Sequence, residues 1–275
     1  MIAGRFHTRS ELVGHYALWT VTWLVLAFLV LPILVIVPLS FSSGTFLTFP
    51  LPGFSLRWYE AFLGSEPWRN AIRNSFIVAI ATTVLATALG TLASLGLVRA
   101  NFPGKGLLMA LLISPMVVPL VIVAAGAYFF YAPLGLTGSL PGLIIAHTTL
   151  AAPFVIISVT STLAGFNPNL ARAGASLGAA PTRVFFDIIL PLIGPGVVSG
   201  ALFAFVTSFD EVVVALFMTG PQQRTLPRQM FDGIRENISP LITAVATLLI
   251  LLSILLMTMM ELLRRRSLRL RGIRE

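Results

Sequence analysis

The chain has 275 residues, of which 57% are hydrophobic and only 10% are charged, whereas an ordinary soluble domain carries about 25% charged residues. This composition excludes a soluble globular domain and predicts an integral membrane protein built from helices. The absence of cysteine excludes a disulfide framework and a thiolate metal site. The net charge of +8 does not indicate a nucleic-acid partner, because six of the eighteen basic residues fall in the last twelve positions. Such a tail after an apolar run is typical of a cytosolic anchor beside anionic lipid.

The N-terminal region predicts a short cytosolic segment followed by a first membrane span. Residues 1–15 form an amphipathic segment with basic side chains, and the apolar run that follows extends from Tyr16 to Phe41. A basic start before an apolar run also occurs in signal peptides. This run is longer than the apolar part of a signal peptide and lacks a small-x-small cleavage site, so we expect it to be retained as a span.

Six membrane-spanning helices are predicted when the sequence is divided at its charges and at clusters of proline and glycine. A spanning helix needs roughly 20 apolar residues, and each segment has that length. The six are Tyr16–Phe41, Asn74–Val98, Leu107–Tyr131, Leu140–Leu163, Leu192–Met218 and Ser239–Leu262. The fold class is therefore all-α, with a single transmembrane domain over residues 16–263 and a basic cytosolic tail over residues 264–275.

The distribution of lysine and arginine predicts that both termini are cytosolic. With that orientation, twelve basic residues lie in inner segments and six in outer segments, in agreement with the positive-inside rule. Residues 166–191 then form a cytosolic loop between the fourth and fifth spans, and LRWYEAF forms an amphipathic helix at the outer surface. Prolines within spans predict bent, packed helices, because proline removes a backbone donor. They are Pro32, Pro38, Pro115, Pro119, Pro153 and Pro195.

The cytosolic loop is predicted to hold two short helices. Asn167 followed by Pro168 is a helix start, Gly178 marks a break, and Pro181 begins a second helix, which Pro191 is expected to end. The apolar face of the second helix consists of Val184, Phe185, Ile188 and Ile189. An apolar helix face in a cytosolic loop needs a partner groove in which to bind.

This loop resembles the cytoplasmic loop of ABC importer permeases, whose signature has Glu-Ala-Ala, a glycine a few residues later and Ile-x-Leu-Pro further on. The matching residues are Ala173, Gly174, Leu177, Gly178, Ala179, Ile188, Leu190 and Pro191. Two positions depart from the signature, because Arg172 stands where the family has glutamate and Gly174 where it has the second alanine. The resemblance implies that the loop forms coupling helices that dock into a cleft of the ATP-hydrolysing subunit. A salt bridge made by the family's glutamate does not carry over to Arg172.

The resemblance extends over nearly the whole chain, so the transmembrane domain is identified as a permease domain. Phe54–Arg99 is similar to the start of the permease core, with Trp58-Tyr59 and Asn74-Ser75 placed as in that family. TSFDEVVVALFMTGP and TLPRQMFDGIRENISPLITAVATLLILLS resemble the spermidine/putrescine branch, and within it the second of the two permease subunits. That branch implies import of a small cationic solute such as a polyamine.

Two alternatives stay open at this point. Related permeases take other small solutes, such as γ-aminobutyrate, opines or aminophosphonates. An ion-coupled carrier or a six-span membrane enzyme is the other alternative. A carrier is expected to have internal repeats or a charged pair at the membrane midplane, and the sequence shows neither clearly.

The chain is expected to do no chemistry of its own. It has no G-x-x-x-x-G-K-[ST] loop to cradle phosphates, and no cofactor or metal is predicted, because His7, His15 and His147 lack metal-ligand spacing. A lone His147 in a span is most often a hydrogen-bonded core residue. The resemblance implies a heterodimer with a second homologous permease, two ATP-binding subunits that bind ATP and Mg, and a periplasmic solute-binding protein. It also implies a location in the bacterial inner membrane.

Asp210 and Glu211 are adjacent acids in an apolar stretch, SFDEVVVALFMTGP. Asp210 lies eighteen residues beyond Leu192, about 27 Å along the fifth span and near its outer end. An acid at membrane depth costs at least ~2.5–3.5 kcal/mol on insertion scales, so it must face a wet cavity or a cationic partner. Neighbouring helix residues point about 100° apart, so we expect one acid to face the path and the other to pair.

Two hypotheses account for this acid pair. In the first, at least one carboxylate attracts a cationic solute at an outer gate, aided by cation–π contacts from Phe205, Phe209 and Phe217. In the second, both carboxylates pair with arginines at the outer surface, namely Arg57, Arg224 or Arg228.

Overall fold

The computed structural model describes residues 9–236 and 239–270, and these are almost entirely helical. Outside the helices, a single antiparallel bridge joins Ser42 and Phe54 within the described residues. The helices are α1 (Arg9–Leu39), α2 (Arg57–Gly64), α3 (Glu66–Arg99), α4 (Lys105–Ile113), α5 (Leu120–Tyr131), α6 (Leu140–Ala164), α7 (Pro168–Ser176), α8 (Pro181–Val184), α9 (Leu190–Phe209), α10 (Val213–Met218), α11 (Leu226–Glu236) and α12 (Pro240–Leu270). The all-α prediction is confirmed at this level.

Five helical segments of the described residues are long and apolar enough to cross a membrane. They are Ser10–Leu39, Glu66–Arg99, Leu140–Ala164, Pro181–Phe209 and Pro240–Met259. A sixth span exists if the bent pair Lys105–Met116 and Leu120–Tyr131 crosses as one. These segments correspond to the six predicted stretches.

The third predicted span, Leu107–Tyr131, is not one helix. The chain turns through 100° between α4 and α5, where Pro115 enters a 3₁₀ turn over Ser114–Met116 and Pro119 caps α5. Each proline lacks a backbone donor and disfavours helical geometry at the residue before it. Two such residues four positions apart therefore break the helix rather than bend it gently.

The described residues divide into two compact units, 9–64 with 236 and 239–251, and 65–235 with 252–270. In the first unit, the predicted amphipathic stretch LRWYEAF is helical, as α2. Its start is fixed to the end of α1, since the Tyr59 hydroxyl lies 2.7 Å from the Ser40 hydroxyl. The indole of Trp58 donates to the carbonyl of Ser42 at 2.9 Å. These contacts make the turn after α1 a defined structure.

The core of the second unit is a three-helix packing of α3, α6 and α9. Small residues let the backbones approach closely: a Cβ added to Gly90 on α3 would lie 2.7 Å from the Cβ of Val155 on α6. The Ser94 hydroxyl of α3 donates to the carbonyl of Ile156, and the Ser158 hydroxyl of α6 to the carbonyl of Gly196 at 2.8 Å. Small residues and such interhelical hydrogen bonds hold helices together in lipid, where apolar burial provides little driving force.

The helix that begins at Pro181 does not end at Pro191, contrary to the prediction. It continues through a π-helical turn over Phe185–Ile189 into α9, so Pro181–Phe209 is one uninterrupted helical segment. Pro191 stands in the first turn of α9, directly after the π-helical turn has displaced the usual backbone pairing. A proline is tolerated at that position, because its missing donor falls in a turn that is already irregular.

Candidate functional site

The two adjacent acids lie at a break between helices, not within one. α9 ends at Phe209, and the backbone N–H of Asp210 still donates to the carbonyl of Val206 at 3.0 Å. α10 begins only at Val213. The prediction of one continuous fifth span over Leu192–Met218 is therefore wrong. Since the helix stops here, the directions of the two side chains are set by their contacts and not by helical spacing.

Glu211 is a buried cap of α10. Its side chain folds over the start of that helix, where Oε1 accepts the N–H of Val214 at 2.9 Å and Oε2 accepts the N–H of Ala215 at 3.0 Å. Only 7% of the residue is exposed. A carboxylate at a helix start satisfies unpaired N–H groups and complements the positive end of the helix dipole. This position needs an acid for a structural reason.

His147 of α6, a side chain that carries a positive charge when it is protonated, is the partner of Glu211. Its Nε2 lies 3.4 Å from Oε2 of Glu211, an ion-pair distance that is longer than an ordinary hydrogen bond. Its Nδ1 lies 2.9 Å from the hydroxyl of Ser208. The residue is buried, so the prediction of a hydrogen-bonded core histidine is confirmed. Its carboxylate partner was not predicted, because nothing in the sequence connects positions 64 residues apart.

Asp210, in contrast, is exposed and directly follows Phe209, a member of a group of aromatic rings that contact one another. Phe205 and Phe209 stack with centroids 5.6 Å apart, and Phe209 meets Phe76 of α3 edge to face at 5.2 Å. We call Phe76, Phe205 and Phe209 the aromatic cluster. Phe205 and Phe209 were predicted as site residues, whereas Phe76 was missed because it belongs to another helix. The predicted Phe217 lies on α10 and is absent from the ring contacts found among the described residues.

The arginines proposed as partners of the acid pair have other partners. Arg224 and Arg228 both approach Asp232, with N–O distances of 3.4 and 3.7 Å. Arg57 lies over the ring of Trp58, 4.5 Å from its centroid. In the ion pairs of the described residues, Glu211 pairs with His147 instead. The hypothesis that both acids pair with these arginines is therefore wrong for Glu211.

Arg228 contacts the other end of α10. Its guanidinium donates to the carbonyl of Ala215 at 3.0 Å and also to the carbonyl and hydroxyl of Thr219. Burial lowers the pKa of Arg228 below its ordinary value, while the Asp232 carboxylate opposes that shift. An arginine stays protonated in either case. The carbonyl of Ala215 also accepts the N–H and the hydroxyl of Thr219, so Arg228 adds a cation to an end of α10 that is already hydrogen-bonded.

The chain after α10 is tied to the start of α3 by two adjacent polar residues. The amide nitrogen of Asn74 donates to the carbonyls of Gln222 and Arg224, at 2.9 and 3.0 Å. The Ser75 hydroxyl accepts the N–H of Leu226 at 2.7 Å. Asn74-Ser75 was singled out from the sequence only by resemblance, and this bridge gives the pair a physical role.

The loop between α6 and α9 has the predicted local structure. Asn167 caps α7, since its Oδ1 accepts the N–H of Asn169 at 3.0 Å. Gly178 follows α7 with φ +84°, a left-handed conformation that favours glycine. α8 then begins at Pro181. The two helix starts and the break between them are confirmed.

The residues predicted to dock fall into two groups. Gly174 is buried, and a Cβ there would lie 2.5 Å from Cδ1 of Ile188, so these two residues hold α7 against the π-helical turn. Ala179 and Leu190 are half-buried beside them. The residues exposed on this loop are Arg172, Ala173, Leu177, Gly178 and Pro191. Leu177 is 89% exposed, a large apolar side chain standing at the turn.

The two arginines of this loop differ in their partners. Arg183 pairs with Asp187 at 3.2 Å on the exposed surface. Arg172 donates to the neutral Asn169 side chain at 3.3 Å. In the part of the chain that the structure describes, no group of three or more His, Asp or Glu side chains is placed to hold a metal ion.

Comparison with known proteins places this chain. Residues 86–269 match the family of binding-protein-dependent transport system inner membrane components. The chain belongs to this family. It is thus a transport permease component of the inner membrane, with the helix arrangement described above.

The permease component is similar to two transport proteins of Escherichia coli strain K12. It is 31% identical to the spermidine/putrescine transport system permease protein PotC over 87% of this chain and 90% of the relative. It is 34% identical to the putrescine transport system permease protein PotI over 84% of this chain and 85% of the relative. Its fold is similar to a chain of a bacterial ABC transporter involved in the import of alginate, with a TM-score of 0.75 and 15% identity. The likeness covers 93% of this chain and 98% of the other.

Proposed function

We propose that this permease is one of two homologous membrane subunits of an ATP-driven importer of a polyamine such as spermidine or putrescine. A solute-binding protein delivers the polyamine, and two separate subunits bind ATP and Mg. The observation that carries this proposal is the exposed Asp210, which directly follows Phe209 of the aromatic cluster, in a chain that is 31–34% identical to polyamine permeases.

The solute site of this proposal is an outer gate built from Asp210 and the aromatic cluster. A polyamine is a flexible chain with several ammonium groups. The Asp210 carboxylate attracts one ammonium group, and the exposed ring of Phe76 or the half-buried ring of Phe205 receives another by cation–π contact, worth about 0.5–1 kcal/mol at an exposed site. Such a site is weak, which suits transport because the solute must leave it again.

The orientation that we propose has six spans and cytosolic termini. It rests on twelve basic residues in the inner segments against six in the outer segments. In this orientation Asp210 is at the outer end of the fifth span. The loop with α7 and α8 is then cytosolic, as the docking of an ATPase subunit requires.

Docking involves the exposed residues of that loop. The apolar side chain of Leu177 enters a hole in the ATPase cleft, and Arg172 faces the cleft as a positive charge. Gly174 and Ile188 act indirectly, because their contact fixes α7 on the helix that continues into the membrane, and Leu190 is the first residue of α9 in that helix. Movement of the ATPase cleft is thereby passed to α9.

The test is transport by the reconstituted complex. The permease, its homologous partner and the co-purified ATPase are placed in proteoliposomes, and the binding protein is supplied with spermidine, putrescine or γ-aminobutyrate. We expect spermidine or putrescine to stimulate ATP hydrolysis and to accumulate inside. Stimulation by γ-aminobutyrate alone contradicts the polyamine assignment, and the absence of a co-purifying ATPase contradicts the importer assignment.

A further inference from the structure

α10 is a six-residue helix, too short to be stable by itself in water. It nevertheless carries the chain away from Asp210, the carboxylate of the proposed solute site. Its stability must come from contacts at its ends and sides. Two charged side chains from outside the helix meet those two ends.

The start of α10 is held by an ionised carboxylate. Both oxygens of Glu211 accept backbone N–H groups, at 2.9 and 3.0 Å. An ionised carboxylate accepts hydrogen bonds on both oxygens, whereas in a protonated carboxyl one of the two oxygens carries a donor hydrogen. The charge is buried, so it needs a partner, and Nε2 of His147 at 3.4 Å provides one. Glu211 therefore faces into the protein and is turned away from any solute.

The end of α10 is held by a cation from α11. The Arg228 guanidinium donates to the carbonyl of Ala215 at 3.0 Å and to Thr219. Asp232, one turn further along α11, keeps the guanidinium in place. A negative group at the start and a positive group at the end both complement the helix dipole.

His147 extends these contacts to two long helices. It belongs to α6, and its Nδ1 lies 2.9 Å from the hydroxyl of Ser208 near the end of α9. His147 of α6, Ser208 of α9 and Arg228 of α11 thereby connect three helices to the two ends of α10. Asp210, the residue directly before Glu211, is exposed.

We propose that His147, Glu211 and Arg228 form a brace that holds α10 and thereby sets the direction of Asp210. The three are positioning residues and do not touch the solute. This inference rests on the proposed function for the role of Asp210, whereas the brace itself rests on the contacts alone. It gives Glu211, which the sequence marks as a path residue, a different task from its neighbour.

The sign of the charges separates the brace from a direct electrostatic role. Removal of a negative charge near the path weakens attraction of a polycation, whereas removal of a positive charge strengthens it. Glu211→Gln and Arg228→Gln therefore change uptake in opposite directions if these residues act through the field. They change it in the same direction if they act through α10. Arg224→Gln is the matched control, because Arg224 also pairs with Asp232 but makes no described contact with α10.

The first measurement is the initial rate of spermidine uptake by the complete complex in proteoliposomes. We expect Glu211→Gln and Arg228→Gln each to lower it by roughly fivefold or more, the effect of losing one helix cap. The double variant is expected to be little worse than either single variant, since both act on one element. A faster rate in Arg228→Gln, or the same loss in Arg224→Gln, overturns the proposal.

The second measurement tests whether Asp210 is the group being positioned. In an Asp210→Asn background, Glu211→Gln should lower uptake only slightly further. A full additional loss in that background shows that Glu211 acts independently of Asp210, which contradicts the proposal.

The third measurement does not depend on the solute. The chain has no cysteine, so a spin label attached to the Phe217→Cys permease before the other subunits are added reports the motion of α10. In the purified complex we expect Glu211→Gln and Arg228→Gln to increase label mobility, and Arg224→Gln to leave it unchanged. Unchanged mobility in all three variants overturns the brace. Increased mobility in a complex that does not transport polyamines supports the brace and contradicts only the proposed solute.

Discussion

At the scale of single residues, two neighbouring acids of the same charge have opposite environments. Glu211 has its oxygens within 3.0 Å of two backbone N–H groups, while Asp210 is exposed. The difference arises because Glu211 precedes α10 and has a side chain long enough to fold back over its start. Asp210 ends α9, and its side chain is left outside both helices. Only Asp210 is thus available to a solute.

We predict that Asp210→Asn slows polyamine uptake and leaves assembly of the complex intact. An exposed ion pair is worth ~0.2–1 kcal/mol, so the uptake rate at low solute concentration should fall by a factor of about 1.4 to 5. The loss should be larger at low ionic strength, because salt screens exposed charges. Asp210→Glu keeps the charge and is expected to retain most of the rate. Equal uptake by Asp210→Asn and the unmodified chain at low salt contradicts the role of this carboxylate.

A second prediction concerns Phe76, the member of the aromatic cluster that was missed from the sequence. Phe76→Leu keeps an apolar side chain but removes the ring face, so we expect the half-saturating concentration of polyamine to rise by roughly two- to fivefold. Phe203→Leu is the matched control, since Phe203 stacks on Phe154 with centroids 6.1 Å apart, outside the cluster. Concentration-dependent uptake by the two variants is the measurement. A similar rise of the half-saturating concentration in both variants would mean that the aromatic cluster does not bind the polyamine.

At the scale of helices, breaks decided where prediction failed. Apolar runs located every long helix, because length and composition alone distinguish a spanning segment. They did not locate the stop after Phe209, since Val212–Met218 is as apolar as the helix before it. They also placed a stop at Pro191 that a π-helical turn avoids. The contacts at this break include a buried histidine 64 residues away from Glu211, and such a contact leaves no local pattern.

The loop between α6 and α9 was predicted better, because its breaks are local. Asn167, Gly178 and Pro181 each act through their own backbone or a neighbour two residues away, so sequence alone placed them correctly. The sequence did not separate the loop's exposed residues from Gly174 and Ile188, which hold it together. That distinction depends on how α7 packs against the π-helical turn.

We predict that Gly178→Ala weakens the coupling of ATP hydrolysis to transport. Gly178 has φ +84°, where any other residue is strained by ~1–2 kcal/mol, although space for a methyl group is open. The strain should reorient Leu177 and leave the transmembrane helices unchanged. Gly194→Ala adds the same methyl group, also into open space, in the ordinary backbone of α9. The number of ATP molecules hydrolysed per solute should rise in the first variant only; a normal ratio there contradicts the coupling role of the loop.

At the scale of the whole molecule, the proposal needs Asp210 and Leu177 on opposite sides of the membrane. Leu177 lies just before the helical segment Pro181–Phe209 and Asp210 just after it, and that segment has 29 residues, enough to cross a bilayer once. The sequence predicts this separation from the length of the apolar run, and the helical segment has the length that the prediction requires. The count of basic residues assigns the Leu177 end to the cytosol.

A labelling experiment decides the orientation, and the absence of cysteine makes it direct. Ser176 and Gln222 are exposed, one at the end of α7 and the other after α10. We predict that a membrane-impermeant maleimide added to intact cells labels Gln222→Cys and not Ser176→Cys. In inside-out vesicles the pattern should reverse, because the positive-inside rule places the loop with α7 in the cytosol. Labelling of Ser176→Cys in intact cells would put that loop outside, where no ATPase subunit could bind it, and the proposed coupling would fail together with the orientation.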